Sequence, residues 1–377
     1  MSAMAGSAAP ILHRGRVLAW RAAALGLAAR AGGLADLAVL RLGIQDSPPG
    51  SLRVALAARL EEPPADPGAG YAVVWSHRGA PHLHPAGDLP ALATACWPAS
   101  EADAAARLGW QRARLAEVGM ASRRAIRTVA EAVGQVLAGG PRVKGELSAE
   151  ITAIVPAPLS PYCRPCGTHH VAEQLLRLAG LPGGARLRPG TKPVVAEAVE
   201  GWAGPPEEGD PAPVVAAYLE FFGPAAAGDL ASFVGTSVTA LRPALPDDLV
   251  EVTVDGRAAL CPPGLVDALS AAPEPAGVVR LVPPSDPFLQ ARDRETLVPD
   301  PARRKEVWRS IGPPGAVLVD GEVAGTWRTQ QRGKTLEITV DAFRALTGAE
   351  RGAVGEEAER IGAVRGAGSV RVRDGEP

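Results

Sequence analysis

Four residues that could bind a metal lie within one stretch of eight residues: Cys163, Cys166, His169 and His170. Two thiolates and two imidazoles can complete a tetrahedral zinc site. The spacing is unusual for zinc because no second pair of ligands follows at a distance, and Thr168 is typical of a residue that caps a helix beginning at His169. A redox role has less support, because no thioredoxin-like βαβ pattern surrounds the two cysteines. We expect no metal and keep the four residues as weak candidates.

A second group of polar side chains lies in a tight loop between two predicted helices, where Gln45, Asp46 and Ser47 precede two prolines. A carboxylate can activate water and stabilise a developing positive charge, whereas a glutamine amide can only orient partners through hydrogen bonds. The structural alternative is an Asx-type turn, in which Asp46 accepts hydrogen bonds from nearby backbone amides ahead of Pro48. Both interpretations stay open at this point.

The element that best indicates the fold is Gly223–Pro262. Apolar residues at helical spacing end at Gly235, Thr236 or Ser237 can cap a second short helix, and two β-rich runs flank Asp255-Gly256. An Asp-Gly pair between such runs is a strong signal for a hairpin. Two helices followed by a hairpin are the order of a winged helix. The alternative is an unrelated helical pair beside a hairpin.

The same order of helices and hairpin occurs elsewhere, and from Gly277 onward the pattern changes to alternating strands with a turn at Asp320-Gly321. We therefore predict an α+β chain of three tandem winged-helix domains followed by a C-terminal antiparallel β-barrel-like domain with a terminal helix. The expected bounds are 11–97, 98–206, 207–273 and 274–377.

The overall composition limits the classes of function. The chain has 377 residues with 46% hydrophobic and 21% charged residues, as expected of a globular protein. The net charge of −2 argues mildly against nucleic-acid binding, and 4% aromatic residues provide few surfaces on which single-stranded bases could stack. The four cysteines do not form the pattern of a disulfide framework. With no secretion signal in MSAMAGSAAP and no membrane span, we expect a cytoplasmic, monomeric protein without a cofactor.

Several segments together resemble one known family. They are VLAWR (Val17–Arg21), LGIQD (Leu42–Asp46), WSHRGAPHLHPAGDLP (Trp75–Pro90), PSDPFLQARDRETLV (Pro284–Val298) and VLVDGEVAGTWR (Val317–Arg328). In this order the chain resembles the AlkZ-like (YcaQ-type) DNA glycosylases, which are also described as winged-helix DNA-binding domain-containing proteins. The resemblance implies three winged helices and a β-barrel around double-stranded DNA. It also implies hydrolysis of the bond between an alkylated purine and its sugar, including bulky or crosslinked N7-substituted purines.

The resemblance also places the catalytic residues. The family's signature is a glutamine, an apolar residue and then glutamine or aspartate, and Gln45 matches its first position. Asp46 and Ser47 depart from the rest of the signature, so the carboxylate is displaced by one residue. We expect Gln45 to position water or the lesion, Asp46 to activate water, and Ser47 to add a weaker hydrogen bond. The alternative function is a non-catalytic winged-helix DNA-binding protein or transcriptional regulator.

Candidate DNA contacts follow from the same comparison of segments. Arg78, His82 and His84 fall on the first predicted wing, close to the catalytic loop in this family. The family's Arg-Asp-Arg segment is matched by Arg292, Asp293 and Arg294, for which a structural ion pair is at least as well supported as a phosphate contact. Two further basic runs include Arg328, whose neighbour Trp327 is expected in the core of the β domain.

Overall fold

The computed structural model describes residues 9–273 and 275–375. It mixes helices and strands throughout, which confirms the α+β class. Within these residues no helix is both long and apolar enough to cross a membrane. The predicted absence of a secretion signal concerns residues 1–8, and the predicted start of the last domain falls on residue 274, so both lie outside the described residues.

The first segment contains short helices around one hairpin. Its elements are β1 (Ile11–Leu12), α1 (Arg14–Ala24), 3-10 turns at Leu34–Asp36 and Ala38–Arg41, β2 (Ile44–Gln45), α2 (Ser51–Ala57), β3 (Tyr71–Trp75), a 3-10 turn at His77–Gly79, β4 (Pro81–Pro85), a 3-10 turn at Ala86–Asp88 and α3 (Leu89–Cys96). The hairpin was predicted from the sequence and is confirmed.

Two breaks shorten the helices of this segment. Helix α1 ends at Ala24, and Gly26 just beyond it takes a left-handed conformation with φ of +72°. The apolar run Leu34–Leu42 is interrupted at Leu37, whose φ of −90° and ψ of 90° are extended, so it forms two 3-10 turns rather than one helix.

The second segment continues the sheet of the first. Its elements are α4 (Glu101–Leu108), α5 (Gln111–Glu117), α6 (Ser122–Leu137), β5 (Arg142–Val143), α7 (Lys144–Ile154), a 3-10 turn at Ala157–Leu159, β6 (Tyr162–Cys163), β7 (Thr168–His169), α8 (Glu173–Gly180), β8 (Ala185–Leu187) and β9 (Val195–Ala198). Strands β2, β4, β3, β8, β9 and β5 lie in that order in one six-stranded sheet. The predicted domains 11–97 and 98–206 therefore share a sheet, through the pairing of Val73 with Leu187.

The third segment has the predicted helices and hairpin. Its elements are α9 (Ala212–Phe222), α10 (Ala227–Val234), α11 (Val238–Leu241), a 3-10 turn at Arg242–Ala244, β10 (Val250–Val254), β11 (Arg257–Cys261) and α12 (Pro263–Ala271). Ser237 caps α11 with its side chain, and Gly235 ends α10 in a left-handed conformation, as predicted. Strand β1 from the start of the chain pairs with β10 in parallel, so the first segment extends this hairpin.

The fourth segment is a five-stranded sheet covered by a long helix. Its elements are β12 (Val279–Val282), a 3-10 turn at Pro287–Gln290, α13 (Arg294–Leu297), α14 (Pro301–Val307), β13 (Gly315–Val319), β14 (Glu322–Arg332), β15 (Thr335–Ala342), α15 (Gly348–Arg365) and β16 (Ser369–Asp374). The first four strands are antiparallel, but β16 pairs with β15 in parallel because α15 crosses between them. Within the described residues the sheet is open, since β12 and β16 form its two edges. Trp327 lies in the core of this segment, 3% exposed, as expected.

Two fully buried ion pairs join the first segment to the chain between β12 and α13. Arg59 donates to both carboxylate oxygens of Asp286 at 2.7 Å, and Arg21 donates to Asp293 at 2.7 and 3.0 Å. A buried carboxylate with one partner removed keeps its desolvation cost, so such a pair holds its segments in one arrangement. Asp293 therefore has the structural role that the sequence left as one of two alternatives.

Candidate functional site

The loop that carries Gln45, Asp46 and Ser47 is attached to the hairpin β3–β4. Gln45 lies opposite His82 in the ladder between β2 and β4, and Ile44 lies opposite Leu83. The Asp46 backbone N–H then donates to the Pro81 carbonyl at 2.9 Å. These backbone hydrogen bonds fix the two candidate catalytic residues against the first predicted wing.

The Asp46 carboxylate also organises the start of α2. Its Oδ1 accepts hydrogen bonds from the Gly50 N–H at 2.7 Å and the Leu52 N–H at 3.1 Å. The carboxylate therefore has a structural capping role, although the amides that bind it follow Pro48 rather than precede it as in the predicted Asx-type turn. Among the described residues the second oxygen, Oδ2, has no protein hydrogen-bond partner. The same carboxylate can therefore cap the helix with one oxygen and present the other to water.

Gln45 and Ser47 flank Asp46 in this loop. Both are half-buried, as is Asp46. Among the described residues the Gln45 amide and the Ser47 hydroxyl make no hydrogen bond with the protein. The loop thus places one carboxylate oxygen, one amide and one hydroxyl within three consecutive residues, all with free hydrogen-bonding capacity.

Beneath the loop lies a buried cluster of polar side chains formed by Ser76, His77, His82 and His84. His82 donates through Nδ1 to the Ala80 carbonyl at 2.9 Å, because a carbonyl can only accept. The same nitrogen lies 2.9 Å from the Ser76 hydroxyl, which lies 3.0 Å from Nε2 of His84. A consistent arrangement has Ser76 accepting from His82 and donating to His84.

Burial keeps these histidines neutral. Desolvation lowers the pKa of His84 to about 4, and it also lowers the pKa of His77 and His82 well below the ordinary value. His77 donates through Nε2 to the Leu42 carbonyl at 3.0 Å. A Cβ at Gly43, where φ is +89°, would lie 2.5 Å from the His84 ring. The cluster therefore shapes the turn that leads into Gln45.

This burial corrects the expected position of two candidate DNA contacts. His82 is 4% exposed and His84 is 1% exposed, so neither side chain offers a surface to DNA in this structure. Alternation along β4 points both of them inward, on the side opposite Leu83. We place them in the support of the candidate catalytic loop.

Arg78 is also directed into the molecule. Its guanidinium donates to the Phe233 carbonyl and, at 2.9 Å, to Gln290 Oε1, and it lies 5.0 Å from the centre of the Phe233 ring. Burial, and after it the positive charge of the nearby Arg292, lowers the pKa of this guanidinium to about 9. The side chain thus connects the turn before β4 to the third and fourth segments.

Two open regions lie near the histidine cluster and Arg78. A cavity of about 250 Å³ adjoins the histidine cluster and is lined by Arg41, Leu42, His77, His84 and Asp88, together with residues of α3 and α9. Open space therefore lies beside Leu42, which precedes the candidate catalytic loop.

A groove of about 470 Å³ is strongly basic. Its cationic side chains are Arg257, Arg292, Arg294, Arg304 and Lys305. Two acidic residues also border it: Asp293 is neutralised by Arg21, and Glu295 lies 3.6 Å from Arg304. Arg257 is paired with Asp229. Arg294 is exposed and lies 5.0 Å from the centre of the Trp308 ring, and the buried Arg292 Nε has no hydrogen-bond partner within the described residues. An anion such as a phosphate fits this environment.

A family model for DNA glycosylase AlkZ-like proteins matches residues 39–364. The chain belongs to the AlkZ-like DNA glycosylase family. Among solved structures, the fold is similar to the Streptomyces sahachiroi DNA glycosylase AlkZ with a TM-score of 0.71 and 21% identity, covering 96% of this chain and 99% of that one. No match is found among curated proteins.

The remaining candidate site residues of this AlkZ-like chain lie outside the candidate catalytic loop, on other segments of the fold. Arg328 is half-buried, donates to the Gly312 carbonyl at 2.8 Å, and borders a groove of about 750 Å³ with Arg309, Arg344 and Arg351. Glu306, Asp341 and Asp374 also line this groove, so its charge is mixed.

The cysteine and histidine candidates form a separate group on β6 and β7. Cys163, Cys166 and His170 come together, whereas His169 does not. Thr168 does not cap a helix, contrary to the prediction. It pairs with Cys163 in a hairpin, and the following helix α8 begins only at Glu173.

Sequence reasoning missed the buried residues Ser76 and His77. A signal was present, because His77, His82 and His84 lie in eight residues of a chain that has six histidines in all. Only the packing of β4 shows that these three side chains meet each other rather than solvent.

Proposed function

We propose that this protein is a DNA glycosylase that hydrolyses the N-glycosidic bond of alkylated, N7-substituted purines in double-stranded DNA, including bulky or crosslinked ones. Family membership supports the glycosylase class. The observation that carries the proposal is the loop in which, among the described residues, the Gln45 amide and the second oxygen of Asp46 have no protein partner. The backbone of this loop is paired with β4, and the first oxygen of Asp46 accepts hydrogen bonds from the start of α2.

The chemistry requires little more than this loop. An N7-alkylated purine already carries positive charge, so it leaves readily, and the demanding steps are placing water and stabilising an oxocarbenium-like sugar. Asp46 Oδ2 accepts a proton from water and its charge stabilises the sugar cation. The Gln45 amide orients the water or the lesion, and Ser47 adds a hydrogen bond. Fixed backbone contacts preorganise these groups, which reduces the cost of positioning them.

The proposed mechanism is monofunctional and needs no cofactor. Lysine-based Schiff-base chemistry would require an amine beside the loop, but the first lysine of the chain is Lys144. In the structure Lys144 is paired with Glu173 on the second segment, at 2.6 Å. The expected product is an abasic site in an intact strand.

Duplex DNA is the proposed partner of a monomeric protein. We propose that the three helix-and-hairpin segments act as winged helices with the predicted bounds, and that the fourth segment completes the grip on the duplex. Arg292 and Arg294 in the basic groove and Arg328 in the groove of the fourth segment are the proposed phosphate contacts. These local clusters explain how a chain with a net charge of −2 binds a polyanion.

The proposal is tested with a duplex that holds a single N7-methylguanine. The wild type should release the base and leave an abasic site, which cleaves only after alkali. Gln45→Ala should slow release strongly, while Ser47→Ala, its neighbour in the same loop, should slow it much less. Borohydride should trap no covalent adduct. Equal activity of Gln45→Ala and the wild type would contradict the assigned site, and a trapped adduct would contradict the monofunctional mechanism.

A second function is a non-catalytic DNA-binding protein or transcriptional regulator. The hydrogen bonds that the Gly50 and Leu52 amides donate to Asp46 favour this function, because they give the carboxylate a structural role that needs no catalysis. Tight duplex binding without base release from any alkylated purine would support this function.

A further inference from the structure

The hairpin formed by β6 and β7 has the geometry of a metal-binding turn. Cys163 and Thr168 pair across it, and Gly167 turns the chain with φ of +66° while its N–H donates to the Cys163 carbonyl at 2.9 Å. Glycine is favoured in this left-handed conformation. The turn bends Cys-x-x-Cys-Gly tightly, so that both cysteine side chains project toward the same point.

Three ligand atoms meet at that point. The sulfurs of Cys163 and Cys166 and one nitrogen of His170 all lie within 4.8 Å of one another. Zinc–sulfur bonds of about 2.3 Å and zinc–nitrogen bonds of about 2.0–2.1 Å place tetrahedral ligands slightly closer together than this. Small side-chain movements are therefore enough to enclose a metal ion.

The imidazole of His170 is oriented for this role. Its Nδ1 lies 2.8 Å from the Val171 carbonyl, to which it must donate, so Nε2 keeps the lone pair that a metal requires. Metal-binding histidines commonly donate their other N–H to a backbone carbonyl in this way.

Two neighbouring residues are excluded as ligands by their contacts. His169 points to the other face, where Nδ1 lies 3.1 Å from the Ser160 carbonyl and the ring lies 5.3 Å from that of Tyr162. Glu173 is held by Lys144 and Arg177. Among the described residues, the cluster therefore offers three protein ligands and leaves one position open.

The hairpin gains little from apolar burial. Each strand has two residues, Tyr162 is 55% exposed and Cys166 is exposed. A two-stranded hairpin without a covered face is marginally stable in water. Metal coordination supplies folding free energy directly, because the unfolded chain has no preformed site.

From these observations we infer that Cys163, Cys166 and His170 bind one zinc ion, with water in the fourth position, and that this ion stabilises the hairpin. Binding converts two thiols to thiolates and releases their protons to solvent, with no change in oxidation state. The site is independent of the proposed glycosylase reaction.

The test uses the full chain, purified under reducing conditions and without chelator. We expect about one zinc per chain by elemental analysis, and a thiolate-to-metal charge-transfer band when zinc-stripped protein is titrated with Co²⁺. Hydrogen exchange of amides 161–170 should be slower with zinc than without it. Cys163→Ser and His170→Asn should lose the stoichiometric zinc.

His169→Asn is the matched control, since it alters the adjacent imidazole on the opposite face and should keep the metal. Circular dichroism and cooperative unfolding of each variant establish that the rest of the fold is intact. The inference is overturned if the reduced wild type takes up no zinc or Co²⁺, or if Cys163→Ser retains as much metal as His169→Asn. It is also overturned if zinc leaves hydrogen exchange of the hairpin unchanged.

Discussion

Asp46 is expected to perform two separable tasks. One carboxylate oxygen caps α2 through the Gly50 and Leu52 amides, and the other has no protein partner among the described residues. Asparagine keeps an oxygen that can accept the capping bonds but cannot act as a base at neutral pH, whereas alanine loses both capacities. The pair Asp46→Asn and Asp46→Ala therefore separates stability from catalysis.

The magnitudes follow from each task. Losing the cap in Asp46→Ala should cost about 1 kcal/mol of unfolding free energy, within a range of about 0.5–2. Asp46→Asn should lose only the favourable interaction of the charge with the helix N-terminus, about 0.3–1 kcal/mol. Both variants should slow base release about 100-fold or more, as expected when a general base is removed.

Urea denaturation gives the stabilities, and single-turnover release of N7-methylguanine from a duplex gives the rates. Ser47→Ala is the control, since it changes the next side chain without touching either capping bond. A release rate for Asp46→Asn equal to that of the wild type would refute Asp46 as the base. An Asp46→Ala variant as stable as the wild type would refute the cap.

Three further predictions concern the support of the site and the DNA contacts. Asp286→Ala should leave Arg59 charged and unpaired in the core. Urea titrations should then show an unfolding free energy lower by about 3–5 kcal/mol. A loss below about 1 kcal/mol would contradict the structural role of the pair. Burial lowers the pKa of His84 to about 4 in the folded protein. Between about pH 6.5 and 4 the unfolded chain therefore binds more protons than the folded protein, and the free energy of unfolding should fall as the pH is lowered through this window. That loss amounts to about 3 kcal/mol for this group, and His84→Gln should reduce it, whereas an unchanged pH dependence would contradict the assignment. Arg294→Ala should weaken duplex binding and reduce the salt slope by about 1, while Arg371→Ala, on the last strand outside the basic groove, should change neither.

The local turns of the fold were predictable because their chemistry is contained in adjacent residues. Asp255-Gly256 and Asp320-Gly321 form hairpin turns in which all four residues have positive φ, the geometry that favours Asp-Gly. The helix ends were less predictable. The interruption at Leu37 depends on packing against other segments, which no local pattern reports.

The candidate site was only partly predictable for the same reason. The loop could be found from Gln45 and Asp46, but whether Asp46 caps a helix depends on where α2 begins relative to it. The histidines of the first hairpin were expected at the surface, as wing residues usually are. Their burial involves residues far along the chain, such as Phe233, whose ring centre lies 5.3 Å from that of His77.

Long-range ion pairs were also beyond reach of sequence patterns. Nothing near Arg21 or Arg59 in the chain indicates Asp293 or Asp286 as a partner, and only the assembled core brings them together. The hairpin at Cys163 was missed because a capping threonine before a helical run is the commoner pattern. Pairing of Thr168 with Cys163 overrides that local preference.

The central claim is that the loop of Gln45 and Asp46 breaks a glycosidic bond. The most direct measurement mixes excess wild-type protein with a duplex containing one N7-methylguanine and compares DNA bound with free base released. Bound duplex should be converted to free base and an abasic site. Complete binding with release no faster than in protein-free DNA would contradict it.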